Sequence, residues 1–94
     1  MLARKWDTEG TGDGEFQYPV GVAVASDGSV YVADMENHRI QKFTSEGVFV
    51  SQWGTKGRAD GQFDEPAGVA VASDGSVYVP DVGNHRIQKF APGS

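Results

Sequence analysis

The chain contains no cysteine, so neither a disulfide framework nor a thiolate metal site is available to it. No apolar run approaches the ~18 residues needed to span a bilayer, and no signal-peptide pattern opens it, so membrane contact is not expected and no compartment is assigned. Positive charge is scarce. Eight Lys and Arg stand against thirteen Asp and Glu, giving a net charge of −5 and an isoelectric point near 4.7. That sign works against generic attraction to nucleic acid or to an anionic membrane. Hydrophobic residues make up only 38%, low for a compact fold yet too many for a disordered one. At 94 residues the chain is one small domain at most.

Glycine is plentiful, at thirteen residues, and so is repetition. Trp6 to Trp53, Pro19 to Pro66, Asp34 to Asp81, His38 to His85 and Phe43 to Phe90 are all steps of 47, and two copies account for the whole length. GVAVASDGSVYV occurs at 21–32 and 68–79; NHRIQKF occurs at 37–43 and 84–90. Two repeat units, 1–47 and 48–94, are expected. A period near 45 residues built of short strands points to propeller blades or a stacked array.

Each copy reads as four strands. In the first, residues 21–26 lead to Asp27-Gly28, a two-residue hairpin signal, and on to 30–34. Residues 35–38 form a looser turn before 39–44, and Ser45-Glu46-Gly47 turns the chain into 48–53. A long loop over 54–67 reaches the next copy. Val22 and Val24 point one way and Ala23 and Ala25 the other, so neither face is polar and both need covering. The phase matters as well. Leu2, Arg4 and Trp6 lie on a segment matching the outer strand Phe49–Trp53, whereas Arg86, Gln88 and Phe90 lie on a third strand. A clasp is expected in which the first segment of one copy completes the last blade of another.

These motifs resemble the NHL repeat, a family with the pattern W-G-x-x-G, D-G-x-F-x-x-P-x-G-V-A-V, D-x-x-G-x-x-Y-V-A-D and N-x-R-I-x-x-F. Here it reads WGTKGRADGQFDEPAGVAV, SDGSVYVPD and NHRIQKF in the second copy. The resemblance implies an all-β fold of four-stranded antiparallel blades. It also implies six-bladed rings, hence a homotrimer of two-blade chains in preference to an eight-bladed tetramer, and a truncated or engineered propeller fragment.

Candidate sites are few. His38 and His85 read as turn side chains bonding backbone rather than metal ligands, since no ligand cluster accompanies them. Asp34 with Arg39 and Asp81 with Arg86 read as bidentate pairs fixing a turn, with Asn37 and Asn84 tolerating left-handed geometry. Asp7, Glu9, Asp13 and Glu15 faintly resemble a calcium loop, but Tyr18 stands where a bidentate Glu is needed. Tyr18, Lys56 and Arg58 are the only candidates for a binding face. No nucleophile–base pair or phosphate-cradling loop is present, and no cofactor is implied.

The copies differ in their long loops, acidic in the first and mixed in the second (Lys56, Arg58, Asp60, Asp64, Glu65). Around a ring these would alternate and help to fix register. Pro80 replaces Ala33, a substitution expected only near a strand end. The expected role is a non-enzymatic scaffold whose partner is itself. The alternative is a module binding protein, a small ligand or RNA on one face; related lyases use several inward histidines that this chain lacks.

Overall fold

The computed structural model describes Trp6 and residues 9–92. Two antiparallel sheets, one per repeat, pack face to face. The first holds β1 (Pro19–Val24), β2 (Val30–Asp34), β3 (Arg39–Phe43) and β4 (Phe49–Trp53) in the order β1-β2-β3-β4. The second holds β5 (Ala70–Val71), β6 (Val77–Asp81) and β7 (Arg86–Phe90) in the order β5-β6-β7. Single 3₁₀ turns, Met35–Asn37 and Val82–Asn84, join the second and third strands of each meander.

The hairpins differ from the two-residue turn that Asp27-Gly28 suggests. Gly28 N–H donates to Ala25 O and Ala25 N–H to Ser29 O, which makes a three-residue loop with only Gly28 left-handed, at φ 91°. A two-residue type I′ turn would need positive φ at Asp27 as well. Asp27 instead keeps an ordinary φ and accepts the Ser29 amide through Oδ1 at 2.9 Å, the Asx interaction its short carboxylate favours. Thr44–Val48 repeats the design, with Gly47 left-handed.

Cross-strand partners share a sheet face. The pairs Ala23↔Tyr31 and Gly21↔Ala33 put those residues toward the second sheet, whereas Val22↔Val32 and Val24↔Val30 face away from it. Between the sheets, Tyr31, Ala33 and Ile40 bury themselves with Phe63, Val77 and Val79, flanked by Trp53 and Phe90. A fully buried Ile40 alone is worth about 1.5–3 kcal/mol of apolar transfer. The inner strands meet so closely that a Cβ on Gly21 would lie 2.9 Å from the Cα of Gly68. Only glycine permits that approach. Larger aromatics fill the outer part of the wedge, with Trp53 5.4 Å from Phe90.

Pro80 is the penultimate residue of β6, near the strand end that its residue type requires. It has no N–H to give the inner strand, and the regular inner strand of the second repeat shrinks to two residues from the six of β1. An isolated bridge between Pro66 and Asp81 is what remains of the outer end of that pairing.

Candidate interaction site at the blade faces

The turn residues build a polar hub inside each blade. Asp34 is fully buried at the end of β2. Its Oδ1 accepts the Gln17 amide at 2.7 Å, and its Oδ2 accepts Asn37 Nδ2 and Arg39 Nε. The bidentate Asp–Arg pair expected from spacing is therefore a single-contact pair at 3.0 Å. The rest of the guanidinium is committed to the long loop: Nη1 donates to Thr11 O and Gln52 Oε1, and Nη2 to Gly12 O and Glu15 O. Gln41, which sequence reasoning passed over, completes the hub by donating to Glu15 O and accepting from Gly14 N. The available signal was its spacing: Gln41 lies two residues from Arg39 on the same strand face, and Gln88 repeats that relation to Arg86. Arg86, Gln88, Asn84 and Asp81 repeat the arrangement on the second loop. Burial acts to raise the Asp81 carboxyl. Hydrogen bonds from Asn84, the Asp64 amide and Arg86, with the guanidinium charge, outweigh it and hold the group below its ordinary 3.8. Arg39 spends all five of its N–H groups on these partners. Arg86 spends four, and its remaining Nη1 N–H meets no acceptor among the described residues.

Asn37 and Asn84 are not the left-handed residues. His38 (φ 52°, ψ 48°) and His85 (φ 55°, ψ 46°) are, closing the 3₁₀ turns. Asparagine could tolerate that geometry, but its amide is needed one residue earlier, where Asn37 Nδ2 reaches both Gly10 O and Asp34. His38 then does bond backbone, but in the other repeat: its Nδ1 accepts the Glu65 amide at 3.0 Å. His85 has no equivalent partner among the described residues.

The two outward faces show the same asymmetry on a larger scale. On the second sheet, Tyr78 and Ile87 are 37% and 71% exposed, against 4% and 0% for their counterparts Tyr31 and Ile40. On the first sheet, Val22 and Val24 are 63% and 65% exposed, while the matching Val69 and Val71 pack against the core. Trp6, Phe16, Pro19 and Val32 line a hollow of about 190 Å³ on that face. Their counterparts Trp53, Phe63, Pro66 and Val79 sit in or against the core that holds Ile40 or, for Pro66, are fully buried. Each open face is thus one half of the contact the chain already makes between its own sheets.

Trp6 lies 5.1 Å from Phe43, much as Trp53 lies beside Phe90. Leu2 and Arg4 fall outside the described residues. The side chains of Arg86, Gln88 and Phe90 are engaged within the chain, and among the described residues the outer edge of β7 pairs with no strand. Tyr18, 61% exposed, ends the first long loop; Lys56 and Arg58 are exposed in the second. Asp13 accepts from Gln52, and Glu15 accepts the Gly12 amide. No group of three metal-binding side chains converges among the described residues, and no helix there could cross a membrane.

Short antiparallel meanders packed face to face about close inner strands define blades of the β-propeller type. The sequence profile of the NHL repeat matches residues 16–43 and 63–90, more than half of the chain, and the chain belongs to that family. It is 48% identical over 48 residues to B-box type zinc finger protein ncl-1 of Caenorhabditis elegans, covering 51% of this chain and 6% of that protein. It is 46% identical to Protein brain tumor of Drosophila melanogaster (51% and 5%) and 43% identical to human E3 ubiquitin-protein ligase TRIM32 (50% and 7%). The chain therefore spans a small part of these relatives. A solved protein of unknown function from Bacteroides thetaiotaomicron superposes over 93% of the chain and 25% of its own length, with a TM-score of 0.67 at 19% identity. That likeness concerns the fold alone.

Proposed function

We propose that this chain is a non-enzymatic propeller scaffold whose ring is completed by further copies of itself, three two-blade units making six blades head to tail. The observation that supports it is the match between the open faces. Ile87 and Tyr78 stand on one and the Trp6–Phe16–Pro19–Val32 hollow on the other, the halves of the Ile40 contact formed inside the chain. Repeat units gain much of their stability from neighbour contacts, and an exposed apolar face with an unpaired strand edge favours association. A fixed rotation of about 60° per blade closes such head-to-tail contacts into a ring instead of a filament. The position of Trp6 supports the expected clasp, in which the segment before it extends along β7 of another copy.

The test is the absolute mass in solution by light scattering over a dilution series, for the parent chain and for Ile87→Asp. A mass of three chains, lost in the variant, is expected. A folded monomer at every concentration would overturn the reading, and four chains would keep the clasp while changing the blade number.

A further inference from the structure

We infer that His85 is the acceptor of a polar latch between copies, and that its occupant is the Tyr18 turn of a second copy of this chain. The inference rests on the ring reading above and names its polar contact. Within the chain, the latch between the two blades is on view. Glu65 ends the second long loop in left-handed backbone, at φ 61°, and its N–H donates to Nδ1 of His38 on the neighbouring blade at 3.0 Å. Adding or subtracting one repeat of 47 converts Glu65 to Tyr18 and His38 to His85.

Both halves of the second latch are present and empty-handed. Tyr18 has the same left-handed backbone, at φ 62°. That conformation is uncommon for a bulky residue and persists only where surroundings fix it. Here the Tyr18 and Gln17 carbonyls accept the amides of Met35 and Glu36, which hold the turn in shape. Its own N–H meets no acceptor among the described residues. His85 for its part opens into a hollow of about 350 Å³ with Arg58, Asp64, Gly83, Asn84 and Arg86. Within the chain His38 and Ile40 both meet the second blade, through Glu65 and through Phe63, Val77 and Val79. His85 precedes Ile87 by the same two residues, so a copy that seats its Trp6 hollow on Ile87 brings its Tyr18 turn to His85. Apolar and polar contacts then share one register. The latch needs Nδ1 unprotonated, with the proton of the neutral ring on Nε2.

The test compares His85→Gly with His85→Asn. Both tolerate the left-handed backbone at this position, but only asparagine keeps an acceptor near the place of Nδ1. One reading is dissociation on dilution, followed by light scattering. The other is hydrogen exchange of the Tyr18 amide by NMR, with the Glu65 amide as internal control of folding. The parent chain and His85→Asn are expected to associate and to protect Tyr18. His85→Gly is expected to protect Glu65 alone and to loosen each junction about two- to tenfold, the worth of one hydrogen bond. An associating parent whose His85→Gly variant dissociates identically, with Tyr18 still protected, overturns the latch and leaves the ring standing. A parent chain that never associates overturns both.

Discussion

Ile40 and Ile87 lie in the same RIQKF pentapeptide, on the same strand of the same motif, yet one is fully buried and the other 71% exposed. Tyr31 and Tyr78 differ in the same sense, and Val69 and Val71 are covered where Val22 and Val24 are not. Burial in this molecule is therefore a property of having a neighbour, not of the local sequence. The comparison also separates two kinds of stability. The hub of Asp, Asn, Arg and Gln lies within a blade and is built in both repeats, whereas the apolar contacts and the histidine latch lie between blades and are built once.

This division can be broken most severely at the hubs. Asp34→Ala would leave the buried Arg39 without its carboxylate and is expected to cost about 3–5 kcal/mol in urea unfolding. Asp81→Ala should cost less, because the Arg86 side chain is 27% exposed and water can replace the lost contact. Next come the isoleucines. Ile40→Ala is expected to cost about 2–5 kcal/mol, whereas Ile87→Ala should change the unfolding of the dilute chain by less than about 0.5 kcal/mol. Equal costs would show that Ile87 is covered within the chain.

The inner glycines sharpen the contrast. Gly21→Ala must push aside the Gly68 backbone and is expected to cost about 1–3 kcal/mol. In Gly68→Ala the new methyl meets only Pro80 Cγ, at an ordinary 3.6 Å. The dilute chain should therefore tolerate it while association is lost, because a next copy would bring its Gly21 to the same spot. Oligomer mass and melting curves read the two effects separately.

Acid gives a graded effect. The Asp81 carboxyl is held below its ordinary 3.8, so its contribution is complete above that pH and is lost as pH falls through the lowered folded value. A urea midpoint that falls below pH 3.8, and falls less steeply in Asp81→Asn, is the expected outcome. The smallest effect belongs to the loop charges. Neutralising Lys56 and Arg58 should weaken association by about 0.2–1 kcal/mol at low salt and by nothing measurable at high salt. A salt-independent change would remove charge alternation from the account of register.

Much of this was legible in the sequence. The 47-residue period, the antiparallel order of the strands and the all-apolar first strand follow from composition and spacing, but that first strand runs over Pro19–Val24, two residues earlier than the Asp-Gly signal places it. What could not be read were choices between partners. Asn37 and His38 both suit left-handed backbone, and only the position of Gly10 O decides which one takes it. Arg39 could have held Asp34 with two bonds; three loop carbonyls and Gln52 compete for its other nitrogens. The hairpins came out a residue longer than the Asp-Gly signal suggests because Asp27 is occupied with Ser29. The divergence of identical segments into covered and open faces is invisible by construction, since the letters are the same.

The contact of Gly21 with Gly68 has a geometric consequence. The wedge angle between blades depends on how narrow the inner edge is relative to the aromatic outer edge. With no side chain at the inner contact, the arc bends as tightly as backbone allows. A side chain there would part the inner edges while Trp53 and Phe90 held the outer ones, flattening the arc and raising the number of blades needed to complete a circle. Curvature, and with it the size of the proposed ring, is thus written at a pair of positions defined by the atoms they omit.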